Sequence, residues 1–151
     1  VGDINGGPQF TYISLDDFRI VKSQVLGDGS YNLSKRTNVA HTHFLNPPLA
    51  AVGLTEAQAK EEGYTVKTNT VDVSAMPRGH VNGDLRGRFK VVLDEDGEKI
   101  LGASFLGDSA EELINLIKMA MDHDIPASYL KNQIFTHPSM AENLNDLFNL
   151  K

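Results

Sequence analysis

Residues 37–151 predict an α+β domain, an antiparallel β-sheet with helices packed beside it, and three stretches carry that prediction. "YTVKTNTVDV" alternates apolar and polar residues from Tyr64 to Val73, the period of a half-buried strand. "RFKVVLDEDGEKILGASFLG" places two β-rich runs around "DEDG", where Gly97 can take a positive φ, which is a hairpin signature. "DSAEELINLIKMAMDHDI" repeats its apolar residues at helical spacing, so that Leu113, Leu116, Ile117, Ala120 and Met121 line one face. Three or four antiparallel strands with helices grouped beside them make an α+β domain.

The remaining elements follow in chain order. "VGDINGGPQFTYISLDDFRIVKSQVLGDG" reads as a strand end, a glycine turn and a helix; Phe10, Ile13, Phe18, Val21 and Val25 fall near helical spacing. That stripe needs a covering surface. Left bare it would be adhesive, so residues 1–36 are expected to be disordered or packed against another copy. "SYNLSKRTN" (30–38) is polar, lacks periodicity and reads as a linker. Two short extended pieces follow, broken by Pro47 and Pro48, which cannot donate to a ladder. Thr55 caps a two-turn helix that Gly63 stops, and "MPRGHVNGDLRG" reads as a loop. Ser109 is placed to cap the long helix, a short helix follows Pro126, and "SMAENLNDLF" predicts a terminal helix.

Composition narrows the functional classes. A 151-residue chain with 40% hydrophobic and 23% charged residues is globular. Its net charge of -6 argues against a nucleic-acid partner, which a basic stripe would announce. No apolar run is long enough to cross a bilayer, so no membrane partner is expected. With no cysteine, the chain holds neither a disulfide scaffold nor a thiol nucleophile of its own. It opens on "VGDINGG" without methionine, as if cut from a longer chain; a processed start is the alternative.

Two places carry possible chemistry. Asp3 follows a glycine and precedes glycine-rich backbone and a helix start, where a carboxylate can accept from the hydroxyls of a cofactor. The plainer alternative is a turn in which Asp3 satisfies local N–H groups. The second place is "FTHPSMAE". Ser139 to Glu142 matches the capping box, which accounts for Glu142 by itself. Glu142 could equally hydrogen-bond one nitrogen of His137, leaving the other to exchange protons with a thiol. His41 and His43 share one strand face at a spacing metal sites use, but no third ligand is evident, and the ligand count favours coincidence.

Taken in order, "PPLAAVGLTEAQAKEEGYTV", "GRFKVVLDEDGEKILGASFLG", "SAEELINLIKMAM" and "FTHPSMAE" resemble the C-terminal dimerisation domain of the pyridine nucleotide-disulfide oxidoreductases. "VGDINGGPQFT" resembles the last FAD-contacting segment that precedes this domain. "GGPQFTYISLDDFRIV" and "QIFTHPSMAENLNDLF" are most similar to the bacterial RclA-like branch, which contains hypothiocyanous acid reductases. The resemblance implies the dimerisation-domain fold of the FAD/NAD-linked reductases over residues 37–151, with residues 1–36 the end of the FAD-binding domain. It implies that Asp3 binds the ribityl chain of FAD and that backbone N–H groups at Phe10 and Thr11 approach the flavin. His137 becomes the acid/base serving the redox thiols of the opposite subunit, and Glu142 its orienting partner. The parent would be a cytoplasmic homodimer that uses FAD and NAD(P)H to reduce a small oxidised substrate. Neither cofactor is expected on these residues alone, which should be inactive. Ser139 stands where many members have threonine. The family's cysteine pair and glycine motifs lie upstream of the matching region. A non-catalytic dimerisation module is the alternative reading, and metal binding through His41 and His43 a third.

Overall fold

The computed structural model describes residues 1–150, in two compact units, Val1–Thr37 and the residues from Asn38 onward. In the first unit a 3-10 turn, Gly2–Asn5, precedes helix α1, Thr11–Leu26. Phe10 caps α1 with extended backbone, its carbonyl accepting the N–H groups of Ile13 at 2.9 Å and Ser14 at 3.2 Å. Of the expected stripe Phe18, Val21 and Val25 are exposed, with Leu26 beside them, whereas Phe10 is half-buried and Ile13 is buried.

The expectation of disorder is corrected: the first unit is ordered, and charged groups order it. Arg36 pairs with Asp16 at 2.6 Å and also with Asp17. The Tyr31 hydroxyl donates to the other Asp16 oxygen. The second Asp17 oxygen accepts the Gly2 N–H at 2.7 Å and the Asn5 amide at 2.8 Å. All four carboxylate oxygens therefore have donors, which is the condition for leaving two acids buried at small cost. The supposed linker takes part, and it contains a 3-10 turn at Leu33–Lys35.

The second unit is built on a five-stranded antiparallel sheet in the order β1-β2-β5-β4-β3. The strands are β1 His41–His43, β2 Leu49–Gly53, β3 Lys67–Asp72, β4 Arg88–Leu93 and β5 Ile100–Leu106. The count exceeds the expected three or four because the two pieces flanking Pro47 and Pro48 pair with each other, His43 opposite Leu49. Gly97 turns the central hairpin with φ +82°, as its sequence required.

Opposite each other on β4 and β5, Phe89 and Phe105 stack with centroids 4.4 Å apart. Such a pair adds about 0.5–1.5 kcal/mol to the burial of its rings. Val91, Leu93 and Ala103 extend this face, and it packs on Ile114, Ile117 and Ala120 of α4, Ala110–Asp122. On the opposite face, Val92 and Leu101 meet Ala59 of α2, Glu56–Glu61. Gly102 has no substitute here, since a Cβ would stand 2.1 Å from the Leu54 carbonyl oxygen.

Several local expectations are corrected. "MPRGHVNGDLRG" is not all loop: α3 spans Pro77–Asn82, with proline in its first turn and left-handed Gly83 at its end. Leu116 is 39% exposed, and Ile114 takes its place in the core. A helix turns about 100° per residue, so Leu116 lies well off a stripe centred on Ile117. Ser109 makes no side-chain cap; its backbone is left-handed and its hydroxyl donates to Asp108. After α5, Ala127–Asn132, the terminal helix is reduced to a 3-10 turn, Ala141–Asn143, and the single turn α6, Leu144–Leu147. Met140, Leu144, Leu147 and Phe148 of this short stretch are all buried and seat it on the sheet.

Candidate functional site

The segment between α5 and α6 holds a connected polar cluster of the second unit. His137 Nδ1 lies 2.8 Å from Glu142 Oε2. The other carboxylate oxygen, Oε1, accepts the Ser139 N–H at 3.1 Å, while the Ser139 hydroxyl accepts the Glu142 N–H at 3.2 Å. The two readings of Glu142 are thus both realised. A carboxylate has two oxygens, and the capping box and the histidine take one each.

The hydrogen bond from His137 holds the Glu142 carboxyl below its usual range; burial opposes this, and the Ser139 N–H and the imidazole's charge assist. An ionised carboxylate only accepts, so Nδ1 carries the proton and Nε2 is the nitrogen left for exchange. The His137 side chain is 68% exposed against 19% for Glu142, so the pair is anchored on its acid side and open on its base side. Among the described hydrogen bonds none reaches Nε2. The ring is thus presented outward, and the His137–Pro138 peptide is cis.

The other predicted residues lie in the first unit. Asp3 is exposed, and its side chain makes none of the described hydrogen bonds. In the turn itself the Gly6 N–H donates to the Asp3 carbonyl at 3.2 Å, while Asp17 accepts the Gly2 N–H and the Asn5 side-chain amide. Phe10 donates its N–H to Pro8 at 3.0 Å, and Thr11 opens α1, where a backbone N–H has no intrahelical acceptor. An uncommitted carboxylate and a helix N-terminus suit the hydroxyl and carbonyl edges of a cofactor. Of these two backbone groups, Thr11 fits such a role better than Phe10.

His41 and His43 face each other edge to face with centroids 5.7 Å apart. Among the described residues no group of three potential ligands forms around them or elsewhere. His80 sits on α3, its Nε2 2.8 Å from the Ser74 carbonyl, and His123 caps the C-terminus of α4.

Sequence reading missed three asparagines that surround the segment. Asn143 donates to the Ser139 and Met140 carbonyls, Asn145 to those of Leu130, Lys131 and Gln133, and Asn69 to those of Asp146, Leu147 and Asn149. The available signal was the density of asparagine beside a helix end, in "ENLN".

The family described as "Pyridine nucleotide-disulphide oxidoreductase, dimerisation domain" matches residues 39–148. The chain is 50% identical to the probable pyridine nucleotide-disulfide oxidoreductase RclA of Escherichia coli, over 99% of this chain and 34% of that protein. It is 35% identical to mercuric reductase of Staphylococcus aureus, over 95% of this chain and 26% of that one. The solved structure of the HOCl-induced flavoprotein disulfide reductase RclA from Escherichia coli superposes with a TM-score of 0.95, covering 99% of this chain and 34% of that one. The chain therefore spans about a third of the length of the first of these relatives.

Proposed function

Because the chain belongs to the pyridine nucleotide-disulphide oxidoreductase family through its dimerisation domain, we propose that it is the C-terminal part of a homodimeric, FAD-dependent, NAD(P)H-oxidising reductase. In that reading the second unit supplies the subunit interface and the proton-transfer pair, and residues 1–36 close the FAD domain. The observation that carries it is Glu142 holding an imidazole that is 68% exposed, with the exchanging nitrogen free. A positioned base turned outward is open to a reaction partner that these residues, which hold no cysteine, do not themselves supply.

The step assigned to this pair is a proton transfer. A thiol of the partner subunit gives its proton to His137 Nε2, which yields thiolate and imidazolium. The thiolate attacks the oxidised sulfur or related oxidised centre of a small substrate, and the imidazolium returns the proton to the leaving group. Glu142 keeps the ring in the tautomer with Nδ1–H and stabilises the imidazolium that forms. FAD, held in the whole protein, would supply the route by which electrons of NAD(P)H reach the thiol pair. Asp3 and the N-terminus of α1 at Thr11 are the groups of this chain that would hold it.

For the homodimer, the exposed stripe of Leu116 and Met119 on α4 supplies apolar surface outside the core, together with Tyr129 and Ile134 near the site. Among the described residues no helix is long and apolar enough to cross a membrane.

The test is His137→Ala in the full-length protein. Thiol-dependent turnover should fall by about 10²–10⁴, the usual range for losing a general acid/base, while reduction of the flavin by NAD(P)H persists. Undiminished turnover would remove the acid/base assignment and leave a dimerisation module without a catalytic part.

A further inference from the structure

We infer that Asn145 is a positioning residue for His137, setting where the imidazole stands relative to Glu142 by clamping the segment that leads to it. For its role in turnover this rests on the acid/base reading of His137; its geometry does not. Helix α5 ends at Asn132 and is capped by Gln133, whose backbone is extended, and the chain then runs through Ile134, Phe135 and Thr136 to His137. Ile134 is 93% exposed. From Leu130 to Thr136, two side chains supply the described hydrogen bonds to carbonyl groups outside the helix ladder. Asn145 Nδ2 donates to Leu130, Lys131 and Gln133 at 2.9, 2.9 and 3.0 Å. The Ser139 hydroxyl donates to Thr136 at 2.6 Å.

A role as helix cap alone does not account for this arrangement. Capping α5 needs donors for its last four carbonyls, Tyr129 to Asn132, of which Asn145 serves Leu130 and Lys131. The third acceptor, Gln133, is the residue that caps α5, and its extended backbone begins the segment that delivers the histidine. Asn145 in turn stands on α6, which is seated by buried Leu144 and Leu147. The end of α6 is fixed to strand β3 by Asn69, whose amide reaches the Leu147 carbonyl at 2.9 Å. A continuous path therefore runs from the sheet through Asn69, α6 and Asn145 to the segment before His137. Glu142 precedes α6 on the same short stretch, so Asn145 references the histidine's segment to the element that positions its acid. Phe135 against the core and the Ser139 hydroxyl on Thr136 hold the far end of this segment, and Asn145 fixes its start; losing that tie lets the segment shift, and a displacement of about 1 Å is enough to cost a catalytic group roughly a hundredfold.

The experiment reads the tautomer of His137 by NMR of the histidine ring carbons in this chain. Glu142 holds the ring as Nδ1–H, whereas a free imidazole in water favours Nε2–H, and the Cδ2 shift separates the two. Glu142→Ala defines the released position of the His137 signal. Asn145→Ala should move His137 toward that position while His41, His43, His80 and His123 stay in place. A folded Asn145→Ala chain with His137 at its wild-type position overturns the inference, whatever His137 does in turnover. Should all five signals collapse together, Asn145→Ser, which keeps one donor proton, is the variant to read. An intermediate shift supports the inference, and an unmoved His137 overturns it. In the full-length protein, Asn145→Ala should lower thiol-dependent kcat roughly tenfold to a hundredfold and leave KM for NAD(P)H unchanged. If the His137 signal moves but full-length His137→Ala turns over normally, the acid/base reading fails and the positioning stands.

Discussion

Glu142 divides its carboxylate between two tasks: Oε1 accepts the Ser139 N–H at 3.1 Å and Oε2 takes His137 Nδ1 at 2.8 Å. One residue thereby ties the start of the terminal helical turn to the ring proposed to move protons. The arrangement makes the two functions separable by substitution. Glu142→Gln keeps one acceptor oxygen, enough for the Ser139 N–H of the cap, and turns an NH2 donor toward His137, so thermal stability should largely hold while thiol-dependent turnover of the full-length protein drops. Glu142→Ala removes the reciprocal cap as well and should cost a further ~0.5–2 kcal/mol in a denaturation midpoint. Equal turnover in wild type and Glu142→Gln would show that neither the charge nor the second acceptor oxygen of the acid does anything for the ring.

Much of this site was legible in the sequence, because a capping box and a His-Pro pair are local patterns written in a few adjacent residues. The central hairpin and the long helix were legible for the same reason. What escaped was non-local. Asn145 and Asn69 look like surface polars until the chain brings α5, α6 and β3 together. Leu116 and Ile114 exchanged places because a helix's apolar arc can be centred on either, and only the sheet it packs on decides. Helix α3 escaped although Pro77 and Gly83 bracket it, since six residues are too few to show a period.

The seat of α6 is apolar, and it predicts a stability cost that travels to the site. Leu144 is fully buried beneath the polar cluster and belongs to the main core. Leu144→Ala should destabilise the chain by about 2–5 kcal/mol through lost transfer energy and a residual cavity. Chemical denaturation measures this. Substitution of Leu33, which is 65% exposed, should change stability by less than ~0.5 kcal/mol and serves as the control.

The exposed arc of α4 predicts how the assembly should fail. Leu116 and Met119 are 39% and 59% exposed, while Ile117 between them is fully buried. If that arc is covered by a second copy, placing an acid on it buries a charge without a partner. Met119→Glu should then weaken the full-length dimer by tenfold or more, since tenfold corresponds to only about 1.4 kcal/mol. Sedimentation across a dilution series reads the change. A dimer as tight as wild type would move the interface away from this helix.

Acid should loosen the first unit, and the sign follows from its ion pairs. The Arg36 guanidinium, with the Gly2 N–H and the Asn5 amide, lowers the Asp17 carboxyl from 3.8 to about 2. Asp16 moves the same way: burial pulls it up, but hydrogen bonds from Tyr31 and Arg36 outweigh that. A folded-state value below the unfolded one means that the stabilisation is fully present above the unfolded value of 3.8 and is lost as pH falls toward about 2. NMR signals of α1 and of Gly2 to Asn5 should therefore shift over that window, ahead of those from the sheet core. Arg36→Gln removes the charge that both acids share. In that variant the same signals should already be perturbed at neutral pH, and their acid transition should move up toward 3.8. If the wild-type and Arg36→Gln signals respond to acid alike, the guanidinium does not hold this unit together, and the exposed stripe on α1 must find its order elsewhere.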